Sequence, residues 1–218
     1  MKRLQEGYAR FRKEVFPGAK DRFRLLADRQ QPEFLFITCS DSRVVPDLIF
    51  QTEPGDLFLS RTIGNVVPPH GAMPGGVSAT IEYAVEVLRV KHIIVCGHSD
   101  CGAVKAAIDL RNPERSSLSR LPLTAQWLGF IEPAWRHLDP GVRTSDPHAL
   151  HKALIHANVI AQLENLKTHP EVARRLAEKS VEVHGWYYDI LSGAVEGYDP
   201  GQSGFVALEE IALSSSKP

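Results

Sequence analysis

Residues 92–110 read HIIVCGHSDCGAVKAAIDL. The run His92 to Cys96 has the length and β-branched content of a buried strand, and Gly97 is expected to break it. From Cys101 to Leu110 the apolar residues recur at helical spacing, so strand, tight turn and helix follow one another directly. That alternation is the signature of a parallel α/β sheet, in which ligands sit at the carboxyl ends of the strands.

Upstream, Gly75-Gly76 opens a periodic stretch through Ala79, Tyr83, Val87 and Val90, a helix that feeds this strand. Phe34 to Thr38, after Pro32, and Asp56 to Ser60, after Pro54-Gly55, read as buried strands with a helix between them. Leu4, Tyr8, Phe11 and Val15 recur among charges as an amphipathic helix ending near Pro17-Gly18, whose apolar face needs a partner such as another subunit. Downstream, Arg111 to Ser119 reads as a polar surface loop, followed by helices over Leu121 to Leu138 and, after the N-cap Asp146, Pro147 to Leu166. Strands over Val181 to Ile190 and Ala194 to Tyr198 are expected to meet at a Ser192-Gly193 turn. The expected architecture is an α/β domain spanning 1–218, its mostly parallel central sheet flanked by helices, with an N-terminal helical arm over 1–16.

Composition narrows the function. With 25 Lys and Arg against 26 Asp and Glu, no global field favours nucleic acid or an anionic membrane. No run approaches the roughly 18 apolar residues that span a bilayer, and Met1 to Lys13 is charged and amphipathic rather than a signal peptide. Three cysteines, an odd number, argue against a disulfide framework and suit a reducing cytoplasm.

The chemistry concentrates in two segments at predicted strand ends, Cys39-Ser40-Asp41-Ser42-Arg43 and Gly97-His98-Ser99-Asp100-Cys101-Gly102. If the two strands are neighbours, Cys39 meets His98 and Cys101. Zinc favours thiolate and imidazole ligands, and a catalytic site keeps its fourth position open for water. The His-x-x-Cys spacing lets both side chains face one ion, while the following helix N-terminus stabilises the Cys101 thiolate. The Arg43 guanidinium is placed to hold the Asp41 carboxylate in bidentate geometry.

Rival readings are weaker. A structural zinc calls for a fourth Cys or His, and none is evident. Gly97 to Cys101 departs from a serine nucleophile elbow at its fifth position, where Cys101 replaces glycine. A non-catalytic binding protein of the same fold would not need Cys39, His98 and Cys101 together with the Asp41–Arg43 pair. Cys96, inside the strand, reads as a small hydrophobe, Glu53 and Asp56 as caps or solvated charges, and the histidines other than His98 as surface or packing residues.

Cys39-x-Asp41-x-Arg43 followed by His98-x-x-Cys101-Gly102 resembles the β-class carbonic anhydrases. Glu53 to Phe58, the Arg61 segment, Gly75 to Ala79, Ile81 to Ala84 and His184 to Asp189 extend the resemblance over nearly the whole chain, which looks closest to the bacterial branch of cyanate-operon and carboxysomal enzymes. The resemblance implies one Zn²⁺ per chain on Cys39, His98 and Cys101, with Asp41 and Arg43 as catalytic dyad. It implies reversible hydration of carbon dioxide to bicarbonate and a proton, through a water activated on the zinc. Asp41 held aside by Arg43 would orient that nucleophile; swung inward it would close the site, and the sequence leaves both states open.

Gln30 falls where the plant-type subgroup carries a substrate-binding glutamine, and Phe58, Ile63 and Tyr83 where that subgroup lines its apolar pocket. Phe36 replaces the Trp of the allosteric subgroup, and Thr62 replaces the Asn of most relatives. The implied assembly is a homodimer, pairing further into tetramers or larger forms, with active sites near the dimer interface. Its implied location is the cytoplasm, with a bacterial microcompartment as the alternative.

Overall fold

The computed structural model describes residues 1–73, 75–111, 117–138, 141–142 and 146–214. Four parallel strands, β1 (Phe34–Cys39), β2 (Leu57–Thr62), β3 (His92–His98) and β4 (Glu182–Tyr188), are joined by two antiparallel ones, β5 (Val195–Asp199) and β6 (Gly204–Ala207). The spatial order is β2-β1-β3-β4-β5-β6. β1 and β3 are buried almost throughout, as near-continuous apolar runs in the interior of a sheet covered by helices should be.

The helices are α1 (Lys2–Arg10), α2 (Phe16–Leu26), α3 (Pro46–Ile49), α4 (Gly76–Glu82), α5 (Gly102–Leu110), α6 (Pro122–Leu128), α7 (Pro147–Lys167), α8 (Pro170–Ala177) and α9 (Leu208–Ser214). α7 starts where Asp146 accepts a hydrogen bond from the His148 N–H at 3.0 Å, the expected cap. Among the described residues no helix is long and apolar enough to cross a membrane.

Several expectations need correction. β3 does not break at Gly97 but runs on to His98. The glycine serves packing: a Cβ there would lie 2.9 Å from Val159 Cγ2 and 3.1 Å from Ile155 Cγ2, both on α7. Gly185 on β4 meets the same helix, where an added Cβ would lie 2.8 Å from Leu163 Cδ1 and 2.9 Å from Val159 Cγ1. α7 therefore lies against the sheet at two glycines, and this contact fixes the strand that presents His98. Gly97→Ala is expected to lower stability by about 1–3 kcal/mol through overpacking, read as an earlier urea midpoint. An unshifted midpoint would show that the helix has room to give.

The N-terminal helix does not stop at Pro17-Gly18. A π-helical turn over Phe11–Val15 links α1 to α2, and Pro17 falls in the first turn of α2. Between β1 and β2 the helix is a single turn, α3. The helix expected over Leu121 to Leu138 tightens after α6 into a 3₁₀ stretch, Gly129–His137, which accommodates Pro133. In the expected surface loop, 112–116 lie outside the described residues and Ser117–Arg120 forms a 3₁₀ turn. α8, β6 and α9 were not expected.

No residue of α1, the π turn or α2 is buried, and Leu4, Tyr8, Val15 and Leu25 are exposed. Arg22 anchors the arm to the turn before β2, donating to Asp56 Oδ1 at 2.5 Å and to the Pro54 carbonyl at 2.9 Å. Asp56 also caps that turn through the Glu53 N–H at 2.8 Å. Phe36 is buried against Phe50 and Trp186.

Candidate metal centre

β1 and β3 are adjacent and parallel, so their last residues, Cys39 and His98, reach the same edge of the sheet. Asp100 then takes the left-handed conformation, φ 54°, and turns the chain so that Cys101, the N-cap of α5, comes back beside them. The two sulfurs and an imidazole nitrogen lie within 4.8 Å of one another, and all three residues are buried.

The His98 ring is oriented by its neighbour's backbone. Nδ1 lies 2.8 Å from the Ser99 carbonyl, which can only accept, so Nδ1 carries the proton and Nε2 the lone pair. That Nε2 is buried and has no hydrogen-bond partner among the described residues. A buried lone pair left unmatched costs roughly 1–3 kcal/mol, and a Lewis acid between it and the sulfurs would remove the penalty.

The thiols form a coupled pair. A hydrogen bond from Cys101 pulls the Cys39 pKa down to about 4 against the opposing effect of burial, with the Asp41 and Gly64 N–H groups assisting. The same contact and burial push Cys101 up, against the Val104 and Ala103 N–H groups at the start of α5. Without a cation the pair keeps one proton; a dication lets both ionise.

Asp41 stands at the rim, with Oδ2 3.8 Å from His98 Nε2. Arg43 grips it in a fork, Nε to Oδ1 at 3.0 Å and Nη2 to Oδ2 at 2.8 Å, and the Arg43 N–H adds a bond to Oδ1 at 2.9 Å. This grip outweighs the effect of burial and holds the carboxyl well below the usual carboxylate range. Arg43 is itself steadied by Asp100, through Oδ2 and the carbonyl, each at 3.1 Å.

This chain resembles known proteins throughout its length. The family model described as "Carbonic anhydrase" matches residues 34–195. The carbonic anhydrase of Pseudomonas aeruginosa is 47% identical over 210 residues, covering 96% of this chain and 93% of that protein. The solved structure of the β-carbonic anhydrase CcaA superposes with a TM-score of 0.89 at 42% identity, covering 95% of this chain and 91% of that one. The chain belongs to the β-carbonic anhydrases. A further structure, from work on two tetrameric β-carbonic anhydrases of Sordaria macrospora, gives a TM-score of 0.72 at 32% identity, covering 89% of this chain and 96% of that one.

In this β-carbonic anhydrase, Cys39, Asp41, Arg43, His98 and Cys101 come together as one cluster. Ile63 follows β2 at the same sheet edge, its side chain exposed and its carbonyl accepting from Trp127 Nε1 at 2.9 Å. Phe58 does not join them. It pairs in register with Leu35, four positions back from the Cys39 level, roughly 13 Å at a strand's rise, and its ring faces Tyr83 at 6.0 Å. Gln30 is exposed, ahead of β1 and so at the far end of that strand from Cys39. Within one chain these three residues lie apart from the cluster.

Other residues support the cluster in ways that no spacing in the sequence announces. Arg61 donates to the carbonyls of Cys39 at 3.2 Å, Asp41 at 2.6 Å and Val44 at 2.8 Å, clamping the turn that carries Asp41. His151 donates to the Cys101 carbonyl at 3.0 Å. The Ser99 hydroxyl accepts the Ile190 N–H at 2.8 Å, a tie across the end of β4. Thr62 donates to the Val66 carbonyl at 3.1 Å. Arg61→Ala is expected to keep the bound metal but to lower hydration about 10- to 100-fold by loosening Asp41; full activity in the metal-replete variant would make the clamp dispensable.

Proposed function

We propose that this enzyme is a zinc-dependent hydratase that interconverts carbon dioxide with bicarbonate and a proton, at Cys39, His98 and Cys101 with Asp41 and Arg43. The observation that carries this reading is the buried, unpartnered Nε2 of His98 beside two sulfurs. A Cys₂His donor set suits zinc and leaves one tetrahedral position for solvent. When bound there, zinc would lower the pKa of a coordinated water and act as a Lewis acid.

The chain's own residues do the positioning. Asp41 stays ionised and accepts the proton side of the attacking oxygen, so that a lone pair points toward carbon. Arg43 keeps both carboxylate oxygens engaged, which fixes the plane of that acceptor. Two thiolate ligands cancel a dication's charge, so the nucleophile's proton leaves less readily than in an all-histidine site. Turnover is therefore expected to rise through mildly alkaline pH, and a flat profile at full metal occupancy would contradict it.

The distance of Gln30, Phe58 and Tyr83 from the cluster supports a homodimer in which a second copy brings them, or their equivalents, to the substrate side. Exposed Leu59, Tyr83 and Val87, together with the uncovered arm, supply apolar surface for that contact. The three cysteines are unpaired, which suits the cytoplasm.

The test is stopped-flow carbon dioxide hydration on metal-analysed protein. Activity should scale with zinc content, fall with a strong chelator, return with zinc, and ignore a serine-directed phosphonate. Full activity in zinc-free protein would overturn the proposal.

A further inference from the structure

At the end of β3 and β4 opposite the metal centre, the parallel register sets His92 against Glu182, and His184 stands two positions along on the same face. His92 Nδ1 and His184 Nε2 are 3.2 Å apart, and Glu182 Oε2 is 3.6 Å from each of them. Among the described residues this is the second group, after Cys39, His98 and Cys101, whose donor atoms all fall within 4.8 Å of one another.

The spacing suits a shared ion. Two nitrogens bound at about 2.0–2.1 Å are separated by roughly 3.0 Å at a right angle and roughly 3.4 Å at the tetrahedral angle. The observed 3.2 Å, a hydrogen bond between the two rings that an ion would replace, lies between them. The carboxylate needs an adjustment of a few tenths of an ångström, which its exposed side chain permits. Phe34 stacks on the His92 ring at 5.3 Å and 22°, holding that ligand in place.

We propose that His92, His184 and Glu182 form a second metal site, open to solvent, for a late first-row divalent transition ion. Two imidazoles and one carboxylate with free positions suit Ni²⁺, Cu²⁺ or Zn²⁺ and offer little to Ca²⁺ or Mg²⁺. The site lies about 20 Å along β3 from His98, so it takes no part in the reaction. Its effect is to cross-link the N-terminal ends of two core strands, which raises thermal stability when the ion is present.

The experiment begins with protein carrying one zinc per chain by metal analysis, titrated with Ni²⁺ by calorimetry while released zinc is measured. The expected result is one additional Ni²⁺ per chain without zinc release, and a higher Tm. His92→Gln and His184→Gln should each weaken that binding at least tenfold, and Glu182→Gln, at an exposed position, should weaken it several-fold without disturbing the fold. All three variants should hydrate carbon dioxide as fast as the parent when nickel is absent. No uptake beyond the resident zinc, uptake matched by zinc release, or equal uptake by parent and folded variants would overturn the proposal.

Discussion

Replacing Cys101 by alanine is expected to remove zinc and activity together. Cys101 caps α5 at the point where the chain has turned back to face His98, so its sulfur is one of three donors converging from two strand ends. Alanine fits the cap position without strain, and the fold should persist. The remaining Cys39 and His98 cannot hold the ion at ordinary concentrations. Loss of even an outer-shell partner costs about 10- to 100-fold in metal affinity or activity, and a direct ligand should exceed that range. The check pairs metal analysis and stopped-flow hydration with circular dichroism of the same sample. A folded variant that keeps a full equivalent of zinc and its turnover would exclude Cys101 from the ligand set.

Asp41→Asn should separate metal from catalysis. The carboxylate bonds Arg43 at 3.0 and 2.8 Å, and it supplies none of the three converging donor atoms. An amide keeps the shape but loses the charge-assisted fork, and it can present an N–H where the nucleophile needs an acceptor. Zinc content should hold while kcat falls about 10²- to 10³-fold, the scale for removing one preorganised polar group from a reacting centre. Unchanged turnover would make Asp41 a bystander; loss of zinc would make it a metal holder.

Much of this site was legible because each half is a short segment at the end of an apolar run. Cys39 with Asp41 and Arg43 follows β1, and His98 with Cys101 follows β3, so strand adjacency was the only long-range assumption needed. Residues acting through backbone carbonyls were not legible. Arg61 reaches three carbonyls across the sheet edge, and no spacing rule announces that. Asp100 was visible as a letter in a motif, yet its hold on Arg43 depends on a left-handed turn.

Gly97 misled because a glycine inside a strand can mean a break or a close helix approach, and only the position of α7 decides. Pro17 misled in the same way, since proline both ends helices and begins them. β6 is only four residues long and lies on the edge of the sheet, too short for alternation to register. His92 is remote in sequence from Glu182 and His184 and meets them only through the β3–β4 pairing, so each alone reads as packing.

The most direct measurement is zinc K-edge X-ray absorption on protein loaded with one equivalent of zinc. The expected inner shell has two sulfurs at about 2.3 Å, one imidazole nitrogen at about 2.0–2.1 Å and one light-atom ligand that exchanges with solvent. A shell without sulfur, or one closed by a permanent fourth protein ligand, would contradict a catalytic site built from Cys39, His98 and Cys101.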